Sequence, residues 1–179
     1  MPFELIKSET LLQGRAFKVR RDYLKTPKGD ETKLEIIEHG GSVVLVPIDG
    51  DGNLLLVRQY RHAAEQDLLE LPAGTRNEAE PFEECAAREI REETGMQAGK
   101  LQKVGAFYLA PGYSTEFMAV FLATELQPNP LQADFDEFLQ LEKIPLKKAM
   151  EQFQSGEVLD AKSLAAWLLA KPFLEKYLG

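Results

Sequence analysis

Hydrophobic positions in this chain change period several times, and the changes mark its elements. Ser42 to Ile48 (SVVLVPI) and Asn53 to Arg58 (NLLLVR) are apolar almost throughout, the pattern of strands covered on both faces. Asp49-Gly50-Asp51-Gly52 stands between them and predicts a hairpin. Upstream, Ala16 to Glu38 reads as two strands joined at the turn-rich Lys25-Thr26-Pro27-Lys28-Gly29-Asp30, and Gly40-Gly41 separates that hairpin from the next pair. Further on the period lengthens to that of a helix. Phe82, Cys85, Ala86 and Ile90 fall on one arc at about 100° per residue. Pro81 suits the first helical position, Glu83 and Glu84 the positive first turn, and Gly95 the stop. Lys103 to Leu109 and Glu116 to Thr124 then read as strands around the turn Ala110-Pro111-Gly112-Tyr113-Ser114. Phe138 to Ile144 is a shorter strand, and Leu146 to Gln154 and Ala161 to Tyr177 are helices. Strands with helices between and after them predict an α/β fold, a mixed sheet sandwiched by helices.

The length of 179 residues suits one domain with some chain left for an extra element at a terminus. The expected division is an N-terminal strand extension over residues 1–40 and a main domain over residues 41–179. With 44% hydrophobic and 28% charged residues, the chain can build an ordinary core. Its formal net charge of -8 argues against non-specific binding to nucleic acid or an anionic membrane, since both need a basic face. A small phosphorylated ligand remains compatible, because a local cation site overcomes a global negative field. The single cysteine, Cys85, excludes an intrachain disulfide and suits a reducing compartment. Its place among Ala and Glu in a helix reads as a buried, inert thiol. The first residues lack a signal-peptide pattern, and no apolar run approaches the length of a membrane span. A cytoplasmic protein is expected.

The candidate chemistry lies on the first helix. Glu89 and Glu93, one turn apart, fall in the middle of its apolar arc, while Glu84, Arg88 and Arg91 fall on the opposite, exposed face. Burying one carboxylate is costly, and placing two together raises the cost further. A hard divalent cation is the simplest compensation. The alternative is that both acids pair with Arg or Lys from elsewhere, as in Glu/Arg-rich helices that are solvated faces.

The residues flanking that helix resemble a known family. Gly74-Thr75-Arg76-Asn77-Glu78-Ala79-Glu80 and Arg88-Glu89-Ile90-Arg91-Glu92-Glu93-Thr94-Gly95-Met96 match the Nudix box, G-x5-E-x7-R-E-U-x-E-E-x-G-U with U a bulky aliphatic residue, at every fixed position. The resemblance implies an α/β/α sandwich with a mixed β-sheet, here carrying an N-terminal β-hairpin extension. It implies that Glu89, Glu93 and the backbone carbonyl of Ala73 are metal ligands, with Glu92 supporting the cluster or binding a further ion. Gly74, Glu80, Arg88 and Gly95 are then structural, Glu80 and Arg88 pairing to hold the loop against the helix. The implied ion is Mg²⁺, with Mn²⁺ as the other candidate. The implied reaction is hydrolysis of the pyrophosphate of a nucleoside-diphosphate derivative, in which the ion neutralises the phosphates and helps generate hydroxide.

Other segments resemble the ADP-ribose pyrophosphatases within that family. They are Ala110-Pro111-Gly112-Tyr113-Ser114-Thr115-Glu116, Val57-Arg58-Gln59-Tyr60-Arg61 with Leu69-Glu70-Leu71-Pro72-Ala73-Gly74, and Ser155-Gly156-Glu157-Val158 with Asp160-Ala161-Lys162-Ser163. By that resemblance Arg61, Glu70, Pro111 and Glu116 face the substrate, and ADP-ribose would yield AMP and ribose 5-phosphate. Against this, Pro111-Gly112 reads equally as a plain turn and Arg61 as a snorkelling surface side chain. The subgroup takes its catalytic base from an acidic loop before the last strand, and Glu137 is chosen, with Asp134 and Asp136 as alternatives; all three also read as solvated loop acids. N-terminal strands in the subgroup mediate a homodimer and lend residues to the partner's site. Phe17 and Tyr23 are candidates to stack on adenine, with a place in the core as the competing role.

Three alternatives stay open at this stage. GDP-mannose and other nucleotide sugars, FAD or NADH are competing substrates. A non-catalytic ADP-ribose sensor is a different class, though such domains tend to lose box glutamates and this chain has all of them. A decapping or RNA pyrophosphohydrolase role is disfavoured by the acidic charge.

Overall fold

The computed structural model describes residues 2–132 and 138–177. They form two compact units, one comprising Met1–Gly41 with Tyr108–Phe117 and the other Ser42–Phe107 with Met118–Gly179.

The first unit is built on an antiparallel sheet of three strands, β1 (Glu4–Gln13), β2 (Lys18–Lys25) and β3 (Glu31–Glu38), in that order. The turn between β2 and β3 lies where the Pro-Lys-Gly-Asp cluster predicts it, with Gly29 at a φ of 95° that favours glycine. The expected hairpin is therefore a three-stranded sheet, and the added strand is β1. Its pattern, ELIKSETLLQ, does not alternate. Register shifts between Leu5 and Lys7 and between Thr10 and Leu12 explain why, since a bulge displaces the side-chain period by one. Cross-strand ion pairs fix the register from within: Arg20 to Glu38 at 2.7 Å and Arg21 to Glu35 at 2.8 Å. Buried Asp22 accepts from Ser8 Oγ at 2.6 Å and Arg20 Nε at 3.1 Å. The turn segment 108–117 adds to the edge at β3, with Ile37 N donating to Tyr113 O at 2.8 Å and Thr115 N to Ile37 O at 2.9 Å.

The second unit holds two sheets and three helices. Strands β4 (Ser42–Pro47) and β5 (Asn53–Arg61) are joined by the expected turn, in which Asp49 Oδ1 accepts from Asp51 N at 3.0 Å and Asn53 N at 2.9 Å. They do not pair as a hairpin. A single bridge, Ile48 to Leu54, joins them, and the strands part into different sheets. Every residue of β4 is buried, so both of its faces need cover and both of its edges need partners. It finds them in β7 (Ala73–Thr75) and, in parallel, β9 (Phe117–Pro128), with β8 (Met96–Tyr108) completing the order β7-β4-β9-β8. Strand β5 is central in the other sheet, between β6 (Gln66–Glu70) and β10 (Leu139–Pro145). Neither β6 nor β7 is visible in the pattern, being short and mixed in polarity.

Alternate side chains of β4 and β9 serve two cores. Val43, Leu45, Ala119, Phe121 and Ala123 pack with Cys85, Ala86 and Ile90 of α1 (Phe82–Thr94). Val44, Val46, Met118, Val120 and Leu122 pack on the opposite side with Leu54 and Leu56 of β5 and with α2 (Leu146–Ser155) and α3 (Ala161–Leu174). Phe153 and Trp167 stack between those last two helices at 4.5 Å. Helix, sheet and helix layers thus follow from the two-sided burial of two strands, as an α/β/α sandwich requires. Among the described residues, no helix is long and apolar enough to cross a membrane.

Candidate active site

The geometry of the acidic helix starts at Pro72. Strand β6 ends at Glu70, and after Leu71 and Pro72 the chain leaves its sheet and joins β4 as β7; Pro72 O accepts from Leu45 N at 2.8 Å. That change of sheet lays Ala73 and Gly74 against α1. Ala73 N donates to Glu93 Oε2 at 2.9 Å. A Cβ added at Gly74 would fall inside the Glu89 carboxylate, so no other residue fits there without moving Glu89.

Helix α1 carries Glu89 and Glu93 on its buried face, 6% and 9% exposed. Pro81 is the capping residue rather than the first helical one, and Gly95 ends the helix at a φ of 71°, its N–H on Arg91 O. Arg88, expected on the exposed face, is the centre of a carboxylate cluster. Its Nε and Nη2 grip Glu80 at 3.0 and 2.9 Å, and its Nη1 donates to Glu89 at 2.6 Å and Glu92 at 2.7 Å. A helical wheel cannot show this, because the partner Glu80 comes from the loop before the helix. Arg88 pulls the Glu80 carboxyl well down, to about 2, against the effect of burial. The loop is tied further by Arg76 Nε to Glu80 O at 2.6 Å and Asn77 N to Glu80 Oε2 at 2.9 Å. Cys85 lies beneath, its thiol pushed up to about 12 first by burial and then by Glu89 and Glu80; it is protonated and unreactive at neutral pH.

Among the described residues no three acids converge as a metal cage, and it is the chemistry of the donors that suits a divalent cation. Glu80, Glu89 and Glu92 share the Arg88 guanidinium, Gly74 leaves the Glu89 carboxylate its room, Glu93 lies one turn further along the same buried face, and the side-chain donors are all oxygen, as Mg²⁺ or Mn²⁺ prefers.

A second cluster adjoins the same strand end. Glu70, 1% exposed, takes both Nε and Nη2 of Arg61, at 2.8 and 2.6 Å. The Glu70 hydrogen bond raises the pKa of Arg61, opposed by burial and helped by the fields of Asp160 and Glu93. Lys162 Nζ also donates to Glu70, and it reaches Asp160 Oδ2 at 2.8 Å. Asp160 caps α3 through Ser163 N at 3.0 Å, and Ser163 Oγ accepts from Leu71 N at 2.7 Å. Sequence reasoning put Arg61 and Glu70 at the site but missed Asp160, Lys162 and Ser163 as their partners. The visible signal was a capping residue followed three positions later by Ser163 at the start of an apolar helix.

The remaining candidates stand on other segments of the chain. Pro111 and Glu116 belong to the first unit. Pro111 is exposed in a turn closed by Tyr113 N and Ser114 N on Ala110 O, at 3.1 and 2.8 Å. Glu116 lines a cavity of about 290 Å³ with Ala16, Phe17, Ile37, His39, Leu109, Ala110, Tyr113 and Ser114, all of that unit. Phe17 therefore borders a cavity, whereas Tyr23 has Lys7 over its ring at 4.3 Å and its hydroxyl on Glu9 at 3.2 Å. Asp134, Asp136 and Glu137 lie outside the described residues. The segment leading to them is anchored to the end of α1, Leu131 N donating to Arg91 O at 3.1 Å.

Comparison with known proteins agrees with this geometry. The NUDIX domain family matches residues 38–167. An ADP-ribose pyrophosphatase of Bacillus subtilis (strain 168) is 36% identical over 163 residues, 90% of this chain and 88% of that protein. An ADP-ribose pyrophosphatase of Mycobacterium tuberculosis (strain ATCC 25618 / H37Rv) is 38% identical over 169 residues, 93% and 82% of the two. The solved structure of an ADP compounds hydrolase superposes with a TM-score of 0.86 at 27% identity, covering 98% of this chain and 96% of that one. With every fixed residue of the box in place on a glycine-lined acidic helix, the chain belongs to the Nudix family and is a pyrophosphohydrolase similar to the ADP-ribose pyrophosphatases.

Proposed function

We propose that this enzyme hydrolyses the pyrophosphate bond of ADP-ribose to AMP and ribose 5-phosphate, using a divalent cation, Mg²⁺ in first place. The observation that carries the reading is the pair of buried carboxylates, Glu89 and Glu93, the first of which fills the space left by the missing side chain of Gly74. Glu89, Glu93 and the Ala73 carbonyl would hold the ion, with Glu92 as a supporting ligand. When bound, it would neutralise the pyrophosphate and activate water for attack on phosphorus.

The chain's own residues supply the rest. Glu80 and Arg88 hold the loop bearing Gly74 against α1, so the two ligand carboxylates keep their orientation. Arg61 offers a half-exposed guanidinium, oriented by Glu70, for a substrate phosphate. Glu137 takes the proton of the attacking water, one P–O bond forms, and the bridging P–O bond breaks toward a phosphomonoester. Pro111 and Glu116 are assigned to the substrate on the subgroup resemblance, and Phe17, which borders the cavity, is preferred to Tyr23 as the stacking ring. A cytoplasmic homodimer completes the reading.

The test is a substrate panel with Mg²⁺: ADP-ribose, GDP-mannose, FAD, NADH, diadenosine polyphosphates and dNTPs. The highest kcat/KM is expected for ADP-ribose, with ¹⁸O from labelled water in only one of the two products. Glu93→Gln is expected to abolish turnover and leave the fold intact. Free inorganic phosphate as the first product, or a Glu93→Gln variant with near-normal rates, would refute the proposal.

A further inference from the structure

Two cations share the buried carboxylate of Glu70, and they differ in where they stand. Arg61, on β5, has its side chain 41% exposed, whereas that of Lys162, in the first turn of α3, is 11% exposed. Both donate to Glu70 Oε2, and Arg61 also takes Oε1. Lys162 is held in turn by Asp160 at 2.8 Å, whose carboxylate caps the same helix through Ser163. With Arg61, Glu70, Lys162 and Asp160 all ionised, the array is formally neutral, and its most exposed member is the cation.

We propose that Lys162 is a positioning residue for substrate binding, acting through Glu70 on Arg61. A carboxylate this deeply buried needs compensation wherever it comes from. Were Arg61 its only partner, the guanidinium would be spent on Glu70, and Asp160 nearby would leave the array negative where a phosphate has to arrive. Lys162 supplies the compensation from the helix side. Arg61 then keeps the bidentate contact as an orientation device and its positive field for the ligand. Ser163 supports the same geometry by accepting from Leu71 N at 2.7 Å, which fixes the strand end carrying Glu70 to α3. The inference rests on the reading of Arg61 as a phosphate contact.

Lys162→Met keeps the apolar stem and removes the charge. The expected result is a KM for ADP-ribose raised about tenfold, with kcat within about threefold of wild type, because the lost attraction acts on ground and transition states alike. Mn²⁺ affinity without substrate, read by electron paramagnetic resonance of the free ion, should stay unchanged. Adding Asp160→Asn to Lys162→Met restores the formal charge, leaves the Arg61–Glu70 contact in place and should recover most of the KM. Should the Met variant fail to fold, Lys162→Gln keeps a donor for Glu70 without the charge and is expected to show the same KM rise. Arg61→Gln separates the two ideas. An unchanged KM in Arg61→Gln overturns both the phosphate-contact reading and the proposal. A raised KM in Arg61→Gln beside an unchanged one in the Lys162 variants overturns the proposal alone, as does a Lys162 variant altered only in melting temperature.

Discussion

Gly74 shows how much of this enzyme turns on a single missing side chain. Residues 73–75 form the short edge strand β7, and the space a Cβ would occupy at Gly74 is filled by the Glu89 carboxylate. Gly74→Ala must therefore push Glu89 aside or shift the strand. Overpacking of this kind costs about 1–3 kcal/mol of stability, and a ligand displaced by an ångström costs on the order of 10²-fold in rate. Unfolding curves and Mg²⁺-saturated turnover on the same preparation check both parts. Wild-type turnover in Gly74→Ala would show that the carboxylate does not depend on that contact. Glu80 illustrates the same dependence across a longer gap. In the sequence only the resemblance to the box sets it apart from the other loop acids, and in the fold it is the bidentate partner that places Arg88 between Glu89 and Glu92.

Among the elements, α3 links fold stability to the strand end that carries the site. Burial raises the pKa of Asp160, but Lys162 and Ser163 more than offset it, so the carboxyl ionises below its ordinary value of 3.8. A group with a depressed folded pKa stabilises the fold fully above its unfolded value, and the contribution fades as pH falls through the folded one. Asp160→Asn keeps a capping side chain and loses the charge. It should cost about 1 kcal/mol near neutral pH, and the difference from wild type should shrink as pH is lowered below 3.8. Urea unfolding at stepped pH measures this directly. A difference that stays constant into strong acid would show that the charge of Asp160 contributes nothing. Strands β4 and β5 carry the other lesson at this scale. Their turn is readable because Asp49 and the glycines determine it locally, while their separation into two sheets depends on partners far along the chain.

For the whole molecule, the open question is what covers β1. Leu5, Ile6 and Leu12 are 57%, 51% and 56% exposed on a strand with no buried residue, at the edge of its sheet. An exposed, apolar edge strand is a pairing hazard unless something covers it. The proposed homodimer supplies that cover. Deleting residues 1–38 should convert the dimer to a monomer or an aggregate and weaken binding of the nucleoside half, leaving Glu89 and Glu93 in place. Leu12→Glu should weaken the dimer without removing the strand. Sedimentation at micromolar concentration decides it: full-length enzyme that is active as a monomer ends the shared-site idea.

The box spacing, the buried placement of Glu89 and Glu93 and the three helices could be read from the chain alone, because helix periodicity and capping are local properties. The order of the strands could not. β1 hides behind two bulges, β6 and β7 are too short to show a period, and β4 and β5 choose partners by two-sided burial rather than by the turn between them. Charge pairing was only partly within reach: the Glu80–Arg88 pair was expected from the resemblance to the box, whereas the other partners of Arg88 and the partner of Glu70 on α3 were not. Arg88 meets Glu80, and Lys162 meets Glu70 across more than ninety positions of chain, only once the sheets and helices have packed. The sequence by itself determined which side chains could do the chemistry, and the tertiary structure decided which of them meet, since long-range contacts form only when burial brings distant segments together.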